Sequence, residues 1–427
     1  PFRRFHTDSS GLTNLPMPDS AARSSLPAKK SFPSEFNPSL EWLINPTRKQ
    51  QFFETNWEKQ PLVVKRNQRD YFGALLSLDE VDRVITTLDR RYPDVTLKNA
   101  SREITDDDYT VGGDSLDVAK VYQLFAEGST ISLAFLDTVV PPLALFCRSL
   151  ESEFSFPFQA NVYLTPPGAQ GAKPHYDTHD VFVLQVTGSK KWTIYGTPVE
   201  LPLPGQDFDA SIHELGAPTL EFELEAGDVA YIPRGIAHDA HSTDTVSLHI
   251  TAGVLRYTWA DLLLELVANA SLNDPAFRKS LPPGFVRPEF DRTQARETLR
   301  TLLQRVPAGS NFDAVLDRFT DEFISACPPL LRGQMAQMAS LDRLAVDSVV
   351  GARAGVIFRL LADEKSVSID CHGRKISFPP YTHEAVRSAL ATSRFTVRDL
   401  PGGLDDAGKL TLIRRLIREG LVMALPD

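Results

Sequence analysis

The sequence predicts an α+β protein in which an antiparallel β-barrel or jelly roll is flanked on both sides by helices and followed by a small mixed domain. Three observations predict it. From about Phe158 to Arg256 apolar residues alternate in short runs separated by Gly/Pro turns, the pattern of antiparallel strands. On either side the apolar spacing reverts to three and four, as on amphipathic helices. The 427 residues exceed what one hydrophobic core serves, so two or three domains with a fully buried site are expected.

Composition narrows the class. With 42% hydrophobic and 23% charged residues the chain is globular, and no apolar run approaches a membrane span, which needs about 20 residues. A formal net charge of −10 argues against a sequence-independent nucleic-acid binder. Cys147, Cys327 and Cys371 lie far apart and are odd in number, so they support neither a zinc ribbon nor a disulfide framework. A reducing, cytoplasmic setting is expected, or a nuclear or organellar one in a eukaryotic source.

Taken in order, residues 1–35 are rich in Ser, Pro and Ala, lack a signal-peptide apolar core and are expected to be disordered. Five basic against two acidic residues within Pro1–Lys30 give a faint transit-peptide character, which the prolines oppose. Pro1 in place of an initiator methionine implies that the numbering begins inside a longer chain. From Pro38 to Leu88 the runs SLEWLINP, RKQQFFETNWEKQP and SLDEVDRVITTL predict a helical wrap, with Ser77 as a helix cap. The acidic EITDDDYTVGGD reads as an exposed turn or loop.

The strands ANVYLT, DVFVLQVT, KWTIYG, LEFELEAGDVAYIP and VSLHITAGV follow and build the barrel. After Thr258, WADLLLELVANAS, RTQARETLRTLLQRV and FDAVLDRFTDEFISA predict a helical pair or bundle that offers an oligomer interface. The last stretch orders short strands, two helices and a terminal LVMAL like a winged helix. From Phe378 onward it carries seven basic against six acidic residues, too balanced a surface for phosphate neutralisation, so interaction or structural use is expected and not DNA binding.

The chemistry centres on PHYDTHDVFVLQ. His175 and Asp177, two apart on a predicted strand, project from one face and can chelate one ion. Sixty-three residues beyond His175, after the turn EAGD and the strand VAYIP, His238 offers a third ligand. Two histidines and a carboxylate form the facial triad of non-haem iron(II) oxygenases, with positions left for a bidentate 2-oxo acid and dioxygen. An HxD alone is usually a surface pair; the apolar strand after it and the second histidine at barrel-like spacing change that reading. His179 and His241 are alternative ligands, hydrogen-bond donors behind the ligands, or solvated, and His249 is left open. In GSKKWTIYG one of Lys190 and Lys191 points inward, where a buried ammonium would need an anionic ligand. Asn161 and Tyr163 alternate on the preceding strand and are candidate donors to the same acid, or ordinary packing.

Together NVYLTPPGAQGAKPHYDTHDVFVLQVTGSKKWTIY, LEAGDVAYIPRGIAHDAHSTD and SLHIT resemble the JmjC-type ribosomal oxygenases of the cupin family, and the similarity runs from about Ser39 onward. The resemblance implies a double-stranded β-helix, iron(II) held by His175, Asp177 and His238, and 2-oxoglutarate whose far carboxylate meets Lys190, with Asn161 and Tyr163 at cofactor-pocket positions. It implies dioxygen as co-substrate, dimerisation through the helical domain, and hydroxylation of a protein or peptide side chain, arginine or histidine of a ribosomal protein. Thr178 and His179 stand where the family usually carries acidic residues after the HxD, and substrate identity stays open. The implied division is 1–35, a catalytic domain with its wrap over 36–257, a helical dimerisation domain over 258–348 and a winged-helix-like domain over 349–427. Lysine demethylation by the same iron chemistry and a non-catalytic cupin platform are the competing functions.

Overall fold

The computed structural model of the chain describes residues 38–426, so the expectations for residues 1–35 lie outside the described residues. Helices α1 (Leu40–Ile44), α2 (Lys49–Thr55) and α3 (Leu78–Thr87), with strand β1 (Leu62–Val64) between, form the wrap. The Ser77 hydroxyl caps α3 by accepting the Glu80 N–H, as its sequence indicates. Phe52 of α2 is fully buried against Phe182 and Tyr231 of the barrel, with ring centroids 5.7 and 5.0 Å away. One such ring removed from water stabilises by about 1.5–3 kcal/mol.

Strand β2 (Val95–Lys98) precedes the acidic stretch, which is a single turn of 3₁₀ helix and a tight hairpin, β3 (Thr110–Val111) with β4 (Ser115–Leu116). Helix α4 (Val118–Ala126), strand β5 (Thr130–Leu133) and helix α5 (Pro141–Phe154) lead into the barrel. Its strands are β6 (Phe158–Thr165), β7 (Asp180–Thr187), β8 (Ser189–Ile194), β9 (Leu220–Glu225), β10 (Val229–Ile232), β11 (His238–Ser242) and β12 (Ser247–Val254). All pair antiparallel in two sheets, a large one ordered β1-β10-β7-β12-β6-β5-β2 and a small one ordered β11-β8-β9. Val181 and Val183 of the large sheet meet Trp192, Ile194 and Leu224 of the small one in a shared core. Phe182, between those valines, points the other way onto Phe52. Strand β7 is therefore covered on both faces, which explains why its run is continuously apolar.

The wrap is also held by charge. Arg234, following β10, pairs at 2.7 Å with fully buried Asp180 and at 2.6 Å with Glu58, and the Tyr231 hydroxyl donates to Asp180. The turn between β7 and β8 depends on Gly188, which has φ +66° and so little room that a Cβ would stand 2.0 Å from the Val246 carbonyl oxygen. Gly188→Ala is expected to destabilise the protein by about 2–6 kcal/mol, combining left-handed strain of ~1–3 with overpacking of ~1–3. Denaturant unfolding monitored at the barrel tryptophan checks this.

After the barrel come helices α6 (Trp259–Asn273), α7 (Thr293–Gly309), α8 (Phe312–Ala326) and α9 (Gln334–Ala339). Then follow β13 (Val349–Ala352), β14 (Arg359–Ala362), β15 (Val367–Cys371), β16 (Arg374–Phe378), α10 (His383–Ala391), β17 (Phe395–Thr396), α11 (Asp406–Arg418) and β18 (Val422–Ala424). Leu412, Ile413, Leu416 and Ile417, one stripe of α11, sit in a separate core with Val350, Val367, Ile369 and Val386. Buried Arg148 of α5 reaches across to the Gly355 and Pro328 carbonyls and ties this part to the barrel. Cys147, Cys327 and Cys371 are buried free thiols. Among the described residues no helix is long and apolar enough to cross a membrane.

Candidate metal centre and ligand pocket

His238 opens β11, and its backbone exchanges hydrogen bonds of 2.7 and 3.0 Å with that of His175, an isolated antiparallel bridge. The sequence places His175 and Asp177 on a strand; the structure corrects this, because residues 176–179 form an irregular segment ahead of β7. The chain crosses there from the edge of the small sheet to the large one, and Pro174 has no N–H to offer a ladder. The side chains still converge with the third ligand. One donor atom from each of His175, Asp177 and His238 lies within 4.8 Å of the others.

The two rings are held by the same device. His175 Nδ1 lies 2.8 Å from the Lys173 carbonyl and His238 Nδ1 lies 3.0 Å from the Ile236 carbonyl. A carbonyl only accepts, so Nδ1 carries a hydrogen on both rings, and in the neutral tautomer this leaves Nε2 as the lone-pair donor. Those nitrogens stand 3.9 and 3.7 Å from the Asp177 carboxylate oxygens. Burial lowers the pKa of His238 below the ordinary histidine range, which keeps Nε2 unprotonated. With side-chain exposures of 36% for His175 and 29% for Asp177 against 8% for His238, the centre sits at the mouth of the barrel with one ligand sunk inside.

Behind it lies a cavity of about 250 Å³ between the two sheets. The β8–β11 register sets Lys190, Trp192 and Ile194 opposite Ser242, Ala240 and His238, so Lys190 faces inward while Lys191 is exposed. Lys190 is 5% exposed, donates to the Thr165 hydroxyl at 3.2 Å, and has no carboxylate in ion-pair reach among the described residues. Burial pulls its pKa down to about 7. Tyr163 lines the same cavity, its phenol pushed up to about 12 by burial, with Asp177 adding to the rise.

Other candidates fall elsewhere. Asn161 is not among the residues lining the cavity; its amide oxygen accepts the Phe135 N–H at 3.1 Å and holds a turn at which Phe135 has φ +55°. The His179 ring packs over Gly253, where a Cβ would come within 2.8 Å of it, and His241 is exposed opposite Lys191. Neither joins the ligand group. His249, which the sequence leaves open, is placed in the cavity. It lies opposite Tyr163 on β12, stacks on that ring at 5.0 Å, lines the cavity, and has no partner for Nδ1. Burial, with Lys190 beside it, holds its pKa well below the ordinary range. A lone histidine inside the apolar run VSLHITAGV was the available signal.

The residues fit a metal and an anion. Two imidazoles with free Nε2 and one carboxylate make a facial N₂O donor set. The buried, ion-unpaired Lys190 in the same cavity calls for a negative group. Fold and site together define a cupin-fold protein of the JmjC class with a candidate two-histidine, one-carboxylate centre.

Residues 139–262 match the JmjC domain family. Ribosomal oxygenase 1 of Danio rerio is 34% identical over 327 residues, 70% of this chain and 58% of that protein. The bifunctional lysine-specific demethylase and histidyl-hydroxylase NO66 of Branchiostoma floridae is 33% identical over 308 residues, 68% of this chain and 47% of that protein. Among solved structures, YcfD, a ribosomal oxygenase from Escherichia coli in complex with cobalt and succinic acid, superposes with a TM-score of 0.52 at 18% identity, covering 89% of this chain and 99% of that one. Residues 139–262 thus carry a JmjC domain, and about 70% of the chain is similar to ribosomal oxygenases. The chain spans about half the length of the curated relatives it matches.

Proposed function

We propose that the protein is an iron(II)- and 2-oxoglutarate-dependent oxygenase that hydroxylates a protein or peptide side chain, arginine or histidine of a ribosomal protein being the substrate we favour. The observation that carries this reading is one cavity with a His-Asp-His donor set at its mouth and a buried, ion-unpaired lysine lining it. His175, Asp177 and His238 would hold iron(II), which when bound supplies dioxygen activation and C–H oxidation. Lys190 would bind the far carboxylate of 2-oxoglutarate, and Tyr163 supplies a phenol O–H beside it. Trp192, Val181 and Val183 form an apolar wall that keeps water from the reacting end. The Nδ1–H bonds to Lys173 and Ile236 fix the ligand rings before the metal arrives.

Incubation with iron(II), 2-oxoglutarate and ribosomal-protein peptides is expected to give succinate and a gain of one oxygen atom on an arginine or histidine. Lysine demethylation is the second reading, favoured by the paired activities in the name of the lancelet relative. Formaldehyde release identifies it. Succinate absent with every substrate, despite bound metal, replaces both with a non-catalytic binding platform.

The remaining assignments rest on packing. We place the catalytic unit at 36–257, a helical dimerisation domain at 258–348 and a winged-helix-like domain at 349–427. Trp259, Leu263 and Val267 of α6, spaced four apart, are 76%, 55% and 37% exposed, an apolar face that supports a homodimer. The near-balanced charge of the last domain supports a structural or interaction role without direct DNA contact. Three free thiols support a reducing compartment, with the cytoplasm as our assignment.

A further inference from the structure

We infer that Tyr176, through the loop between β8 and β9, is a positioning residue for the metal ligands and sets the affinity of the centre without touching it. The inference rests on the metal-centre reading above. His175 and Asp177 direct their side chains to the centre, and Tyr176 between them is turned away and buried, 3% exposed. Its hydroxyl donates to the Gln206 carbonyl at 2.8 Å. Its ring meets Phe208 edge-on at 5.5 Å and His213 at 5.5 Å. His213 is held in turn, its Nδ1 accepting the Asp209 N–H at 3.0 Å.

The same loop is fastened at its other end. The Val199 carbonyl oxygen lies where a Cβ on Gly235 would be only 2.1 Å away, and Gly235 (φ +81°) donates its N–H to the Asp177 carbonyl at 3.0 Å. Arg256 donates to the Pro202 carbonyl at 2.8 Å. Residues 195–219 contain no helix or strand, yet they close over the back of the ligand segment. Loops beyond about 12–15 residues without regular structure are uncommon and are usually either functional or disordered; this one is pinned by the contacts of Tyr176, Gly235 and Arg256. The need is local. His175 is located by its bridge to His238, but residues 176–179 have no ladder, so Asp177 depends on the Gly235 bond and on the anchored Tyr176 beside it. Groups behind the ligands typically change metal affinity by about 10–100-fold.

The test is titration with Mn(II) as the probe, following free Mn(II) by electron paramagnetic resonance at a temperature where every variant is folded. Tyr176→Ala is expected to raise the Mn(II) dissociation constant by about 10–100-fold. Phe208→Ala, outside the cavity, is expected to weaken binding in the same direction, with the double variant less than additive. Tyr176→Phe keeps the ring and isolates the hydroxyl bond, so a smaller loss is expected. Lowered melting temperatures with wild-type Mn(II) affinity in Tyr176→Phe and Phe208→Ala overturn the inference, even if Tyr176→Ala does not fold. His238→Ala is the control for the centre itself. Wild-type protein that fails to bind Mn(II), or binds it equally in that control, overturns the metal-centre reading and this inference with it, an outcome distinct from the first.

Discussion

His238→Ala is expected to reduce iron(II) binding and substrate-dependent succinate formation to background while leaving the fold intact. The ring supplies the buried member of the donor set; burial lowers its pKa, and the Nδ1–H bond to the Ile236 carbonyl places the proton of the neutral ring away from Nε2. The remaining pair, His175 and Asp177, sits at the more exposed rim and offers two of the three donor atoms. His179 is wedged over Gly253, His241 is exposed on the outer face and His249 stacks on Tyr163, so none of these three joins the donor group. The barrel is held by its ladders and by the core shared between sheets, not by this ring. Isothermal titration with iron(II) under anaerobic conditions, together with circular dichroism, checks both halves. Turnover retained by a folded His238→Ala protein would falsify the ligand assignment.

Lys190→Met is expected to abolish 2-oxoglutarate binding and yet to stabilise the protein without its cosubstrate. Methionine fills most of the lysine volume, and it removes a buried ammonium whose one hydrogen bond goes to Thr165. The sign follows from linkage. Burial lowers the folded-state pKa to about 7, whereas the unfolded chain keeps the ordinary lysine value near ~10.4. The penalty is therefore full below pH 7 and is relieved as pH rises from 7 toward 10.4, where the unfolded state binds more protons. The gain in melting temperature for Lys190→Met should be largest at or below neutral pH and shrink above it.

Cosubstrate binding moves the other way, since the carboxylate needs the protonated amine. Above pH 7 the wild-type affinity should fall by about tenfold per pH unit as the free pocket must first take up a proton. His249 stays neutral across this range, its pKa being held low by burial and by Lys190 itself. An affinity for 2-oxoglutarate that is flat from pH 6.5 to pH 9 would remove Lys190 from the proposed role.

Much of this was written locally. Alternation with Gly/Pro punctuation determined the barrel strands, because a pleated sheet imposes period two on any chain that buries one face. Helical spacing determined the wrap and the flanking helices, and Ser77 its cap. HxD, the turn EAGD and a following histidine determined the donor set, since few residue types can bind a metal and their spacing survives folding.

Other features were decided only by long-range packing. Whether Lys190 or Lys191 enters the cavity depended on the register of β8 against β11, and a shift of one residue would have exchanged them. Asn161 and Tyr163 look equivalent along β6, but a hydrogen bond to Phe135 takes the amide away from the cavity. His249 gains its place from pairing with Tyr163 eighty-six residues earlier. The HxD segment is held by backbone bridges and a distant loop where periodicity would have given it a strand. Sequence determined which side chains exist and which local conformation suits them; the tertiary structure decided which face each meets, because register, burial and hydrogen-bond competition are settled between residues far apart in the chain.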